Sequence, residues 1–201
     1  MAENQVPDSI KRDVVVLEAM AAEMEPYLKS DLLYWRLSPE KSISPPPSML
    51  TIGGALLRVK RLEGSKEELE PEQYKRMKAA RSLVEEAMAE WKAHAGQKMA
   101  RELEARLNSW REYANDCQER RQSCLSGYPN GAEKRTIAEL LIDKASGFAD
   151  VSEFRERVEA LDAGFRPFFA PGEFIWDMRL TAVFPLERFW WLYGGPEIKE
   201  V

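Results

Sequence analysis

The sequence predicts an all-α protein: a helical bundle organised around one very long central helix, at about residues 71–126, with shorter packing helices and an aromatic-rich C-terminal tail. Three observations carry this. An apolar stripe of helical period runs from Tyr74 to Cys124 through Met77, Val84, Met88, Trp91, Ala95, Met99, Leu103, Trp110, Tyr113 and Cys117. Its steps of three, four or seven residues keep one phase. Pro71 stands before it and Gly127 after it, the order in which helices start and stop. The composition, 44% apolar and 31% charged over 201 residues, is that of a globular chain able to bury a core. The whole chain reads as one helical domain: N-terminal helices (1–64), the long helix (71–126), two short helices (132–163) and the aromatic tail (165–201).

The first helix follows Pro7 and Asp8 and places Ile10, Val14, Leu17, Ala21, Met24 and Leu28 on one face. Pro26 predicts a kink or break, because proline lacks the backbone donor and clashes with the preceding turn. A short apolar segment, Leu32 to Leu37, ends at Ser38-Pro39. Ser44-Pro45-Pro46-Pro47 reads as a stiff extended connector, with a PxxP-type ligand ranked well below a rigid loop. Ser48 is the expected cap of a helix carrying Met49, Ile52, Leu56 and Val59. Gly53-Gly54 inside it suggests a close backbone approach or a bend, with a strand as the competing reading. Gly64-Ser65 ends the element.

Pro71 fits the first turn of the long helix, which at about 1.5 Å per residue would span roughly 84 Å. Met77, Met88, Met99 and Trp110 recur every eleven residues, nearer to straight-helix geometry than a heptad zipper. Glu102 and Arg106 fall on the apolar face four residues apart and are expected to pair. With Gly96 they mark the expected bend. Gly127 would terminate the helix, Pro129 would prevent its resumption, and Asn130-Gly131 would turn the chain. Ile137, Leu140, Leu141 and Ala145 then define one helix ended by Gly147. Val151, Phe154, Val158 and Leu161 define another, capped by Asp150 and stopped by Gly164. In the tail, residues 173–184 alternate like a strand, but no partner strand is evident, which favours helix or irregular structure over a strand.

No motif assigns a chemistry, so no catalytic, cofactor-binding or metal residues are expected. His94 is the only histidine, which excludes di-iron and two-histidine zinc patterns. Glu86, Glu90 and His94 stack at four-residue steps but read as a solvated acidic face. Cys117 and Cys124, on a continuous helix, would have Cα atoms roughly 10 Å apart, beyond the reach of a disulfide at about 7 Å. They read as two reduced, buried thiols. Arg58, Lys60 and Arg61, and the Arg120-Arg121 pair, read as cations near helix termini or against acidic neighbours. A net charge of -5 disfavours nucleic acid and anionic membranes. No apolar run is long enough to cross a bilayer, and Met1 to Asp13 has no apolar signal core, so a cytoplasmic location is expected.

The expectation for function is a non-catalytic helical interaction, regulatory or scaffold protein. The alternatives are a sensor or enzyme binding a small apolar ligand and, further back, a nucleic-acid regulator. Trp190, Trp191, Tyr193, Trp110 and Tyr113 are the candidate partner or ligand surface, since Trp and Tyr concentrate at binding hot spots. A homodimer or a protein partner is expected, because short helices alone would not cover so long a stripe and adjacent tryptophans point in different directions.

Overall fold

The computed structural model describes residues 8–38, 49–119 and 121–197. These residues form an all-α-dominant structure. Its helices are α1 (Asp8–Ala22), α2 (Met24–Lys29), α3 (Ile52–Gly64), α4 (Pro71–Glu90), α5 (Lys92–Glu119), α6 (Arg121–Ala145) and α7 (Ser152–Phe165). Two small antiparallel ribbons join them: β1 (Trp35–Arg36) with β2 (Met49–Leu50), and β3 (Phe169–Phe174) with β4 (Tyr193–Pro196). The chain divides into two compact units, residues 1–102 and 103–201, with α5 running through the division. Ser44–Pro47 and Ser48 lie outside the described residues.

In the first unit α1 packs on α3 and α4, and Val14, Leu17, Met20, Ile52, Ala55, Met77, Val84 and Met88 of these helices are all buried. The break expected from Pro26 falls three residues earlier, at Glu23, and Pro26 sits in the first turn of α2, where its missing donor costs nothing. The Glu23 carboxylate accepts from Trp35 Nε1 at 2.6 Å and from the Ser38 amide at 3.1 Å, tying the chain after α2 back to its start. Thr51 caps α3, its hydroxyl accepting from the Gly54 amide at 2.9 Å. The Gly53-Gly54 pair is helical. The Gly53 amide donates to the buried Glu102 carboxylate at 2.8 Å, a negative charge placed at the positive end of α3. Lys98 is buried as well. Its ammonium lies 4.3 Å from the Tyr27 ring centre and donates to Ser30 Oγ and the Leu32 carbonyl, and burial lowers its pKa. Arg58 and Arg61 flank Asp13 of α1 at 3.7 and 3.6 Å. Glu86, Glu90 and His94 are exposed.

The long helical stretch begins at Pro71, where the Glu70 amide donates to Gln73 at 3.2 Å. Its one interruption before the second unit is Trp91, with φ −100° and ψ 44°, rather than the Gly96–Arg106 stretch that the sequence suggested. Trp91 still donates to Ala87 O and accepts from Ala95 N, both at 2.9 Å, so the stripe keeps its phase. The Lys29 ammonium, 4.1 Å above the Trp91 ring, occupies the face opened there.

The predicted continuity to residue 126 does not hold. Cys117 and Cys124 form a disulfide with Cα atoms 4.6 Å apart, where a helix would hold them about 10 Å apart. The chain therefore reverses between them, and α5 and α6 make a hairpin. The thiol reading failed because it assumed the helix. The terminator reading failed too: α6 runs through Gly127, Pro129, Asn130 and Gly131. The reason is the Tyr113 ring, which lies on the bare backbone of Gly127 and Gly131 while its hydroxyl donates to Cys124 O at 2.8 Å. These glycines are a seat for an aromatic ring, and the Pro129 ring faces solvent between them. The side chains of Arg120 and Arg121 lie outside the described residues.

Behind the hairpin, Trp110, Tyr113, Tyr128 and Phe165 form one aromatic cluster, with ring centres 4.9–6.1 Å apart. The strand in the tail is residues 169–174, earlier than the alternation suggested, and its partner is the Gly-rich 193–196 segment. Gly194 has φ +140°, and a Cβ there would lie 2.1 Å from Ala170 O, so glycine is what allows the ribbon to close. Met77, Val84, Met88, Ala95, Met99, Leu103, Trp110, Cys117 and Cys124 are all buried by the chain itself. Tyr74 stays exposed and Trp91 and Tyr113 are half-buried, so most of the stripe, though not its first residue, finds cover without a second copy.

Candidate functional site

The second unit contains a groove of about 320 Å³ between α6, α7 and the short turn carrying Trp190 and Trp191. Helix α6 supplies Arg135, Glu139 and Ile142 at four- and three-residue steps. Helix α7 supplies Arg155, Val158, Glu159 and Asp162, and Arg166 follows in the next turn. The turn is fixed from beneath: Trp191 Nε1 donates to Thr136 Oγ1 at 2.9 Å, and the Tyr128 hydroxyl donates to the Trp191 carbonyl.

The floor is an ion-pair network. Arg135 donates to Asp162 through Nε at 3.0 Å and NH2 at 2.9 Å, and through NH1 to Glu139 at 3.0 Å. Its guanidinium stacks 3.8 Å from the Trp191 ring centre. Asp162 also accepts from Trp110 Nε1 at 3.1 Å. Arg188 donates to Glu139 at 3.0 Å and pairs with Asp143. Each buried charge is matched, which is the condition for keeping charges out of water. The mouth is different. Arg166 lies 4.1 Å over the half-buried Trp190 ring. Arg155, Glu159, Arg166 and Glu187 make no ion pair among the described residues.

Of the sequence-predicted surface, only Trp190 and Trp191 line the groove. Trp191 is 1% exposed, so its neighbour carries the accessible ring. Trp110 stands behind the floor, joined to it through Asp162, and Tyr113 stacks on Trp110 one layer further in. Tyr193 points elsewhere: its hydroxyl donates to Phe184 O at 2.8 Å, its ring packs on Phe174, and burial raises its pKa. Sequence reasoning missed Arg135, Arg155, Asp162 and Arg166. The spacing Arg155-Glu159-Asp162-Arg166 on one helical face was available as a signal. The burial of Asp162 was not.

Guanidinium groups hold their protons and cannot shuttle them, and the floor carboxylates are committed to arginine. A second opening of about 320 Å³ lies in the first unit beside Tyr74 and Lys78, and Arg81 spans it to pair with Glu63 and Glu85. Among the described residues no three His, Cys, Asp or Glu side chains gather as a metal site, and no helix is long and apolar enough to cross a membrane. Comparison with protein-family models, curated proteins and solved structures finds no match to this chain.

Proposed function

We propose that the protein is a non-catalytic recognition protein and that the groove of its second unit receives a protein partner. The observation that carries this is Arg166 stacked on Trp190 at the mouth of a groove whose floor is already neutralised. Trp and Arg are the side chains that dominate interface hot spots. A floor whose charges already hold one another in hydrogen bonds leaves fewer side chains to order when the mouth is occupied, which lowers the cost of binding. The small apolar ligand and nucleic-acid readings find less support, since charged side chains ring the groove and the chain carries a net charge of -5.

A homodimer is one form this recognition would take, with the partner a second copy. A cytoplasmic chain would hold Cys117 and Cys124 reduced, whereas the disulfide belongs to an oxidising environment.

Affinity capture from the native host with the wild type and with Trp190→Ala tests the proposal. A partner identified by mass spectrometry should be captured by the first and lost with the second. Light scattering tells a second copy from another protein, and native mass spectrometry reveals any co-purifying small ligand. A partner retained equally by Trp190→Ala would overturn the assignment to this groove.

A further inference from the structure

Resting on that reading of the groove, we infer that its occupant is an extended peptide segment with acidic side chains at both ends and a basic one between. Arg155 and Arg166 are eleven residues apart, three helical turns, and so stand over the same face of α7 and its continuation. At about 1.5 Å per residue they are roughly 16 Å apart. An extended chain rises about 3.3 Å per residue, so about five peptide residues cover that distance. Along it the unpaired charges read positive at Arg155, negative at Glu159 and positive at Arg166.

Arg166 is the strongest of these contacts. The Arg166 guanidinium carbon lies 4.1 Å from the Trp190 ring centre, and the exposed side chain keeps an N–H edge free of ion pairs. That is the fork that pairs with a carboxylate through two parallel hydrogen bonds. The deeper charges of the lining do not alter the pattern, because two cations, Arg135 and Arg188, are matched by two anions, Asp162 and Glu139. A uniformly acidic segment or a phosphate group would meet Glu159 and Glu187 as like charges. A mixed segment meets an opposite charge at Arg155, Glu159 and Arg166 along α7, and its basic side chain is the one that can also answer Glu187. The half-exposed Trp190 face takes the aliphatic stems of the peptide's long side chains.

The test is an NMR titration of the full chain with a capped six-residue peptide. The peptide has glutamate at both ends, one lysine between and glycine elsewhere. The signal followed is the Trp190 indole N–H, assigned with Trp190→Phe. A saturable shift in the millimolar range is expected, reduced about tenfold in affinity by Arg166→Gln and by Arg155→Gln. Both are exposed side chains, and an unchanged circular dichroism spectrum verifies their folding. Arg166→Glu should prefer the peptide in which one terminal glutamate is replaced by lysine. Three controls are the charge-reversed peptide, an all-glutamate peptide and inorganic phosphate. Tighter binding of any control, no saturable shift with the mixed peptide, or affinity indifferent to Arg166 would overturn the inference. If the peptide fails while Trp190→Ala still loses the captured partner, the groove binds a partner of other chemistry. If Trp190→Ala retains the partner, the broader reading fails as well.

Discussion

Two glycines of α6, four residues apart, should respond to alanine with opposite signs. Neither has a positive φ, so both are ordinary helical positions where alanine adds about 1 kcal/mol of helix stability. At Gly127 the new Cβ would stand 3.4 and 3.6 Å from the Tyr113 ring, normal contact, and the helix gain should survive. At Gly131 it would stand 2.9, 3.0 and 3.2 Å from three ring atoms. The ring cannot withdraw easily. Trp110 is stacked behind it at 5.4 Å, Phe165 packs against it at 5.8 Å, and its hydroxyl is bonded to Cys124 O at 2.8 Å. Overpacking of that kind costs about 1–3 kcal/mol, which outweighs the helix gain. Gly131→Ala should therefore lower stability by about 1 kcal/mol, and Gly127→Ala should raise it by up to about 1 kcal/mol. Gly96→Ala in α5, with nothing within 4 Å of its Cβ position, gives the propensity effect alone. Urea denaturation of the three variants, compared at constant m-value, reads these differences. If Gly131→Ala were as stable as Gly127→Ala, Tyr113 would not sit in this seat and the α5–α6 packing argued here would be wrong.

Reduction of the Cys117–Cys124 disulfide frees a loop of seven-residue separation, and chain entropy puts the loss at about 2–3 kcal/mol. The urea midpoint should fall accordingly with reductant or in the double serine variant, while helix content stays, because Tyr113 still holds the hairpin. Asp162→Ala leaves the Arg135 guanidinium buried without its main partner and Trp110 Nε1 without an acceptor, and should cost about 3–5 kcal/mol in the same assay. Asp162→Asn should cost less, since it keeps an acceptor for both; equal losses would refute the charge argument. Burial raises the pKa of Tyr113 and Tyr128 above the ordinary 10.0. A raised folded-state value means that their contribution is present below about pH 10 and lost as pH rises beyond it. Phenolate absorbance should then show at least Tyr113 and Tyr128 ionising only together with alkaline unfolding, and reversible ionisation of all six tyrosines before unfolding would contradict this.

The helical class was legible because it depends on periodicity, which survives any tertiary arrangement. The stripe from Tyr74 to Leu103, the start at Pro71, the end of α3 at Gly64 and the end of α6 at Ala145 all follow from local residues. The site was legible only in part. The adjacent tryptophans drew attention, but Arg135 and Asp162 look like ordinary solvated charges until they are seen buried against each other.

Periodicity also misled, for a physical reason. A stripe reports which side of each helix is covered, and it says nothing about whether one helix continues or two fold back with their covered sides together. Cys117 and Cys124 keep the same phase in both cases. Gly127, Pro129 and Gly131 favour a stop in isolation, yet become helical once Tyr113 covers the bare backbone between α5 and α6. The sequence by itself thus determined helix, period and the buried faces, which are properties of neighbouring residues. The hairpin, the β3–β4 ribbon and the groove were decided by residues such as Tyr113 and Gly131, or Asp162 and Arg135, distant in sequence and in contact only after folding.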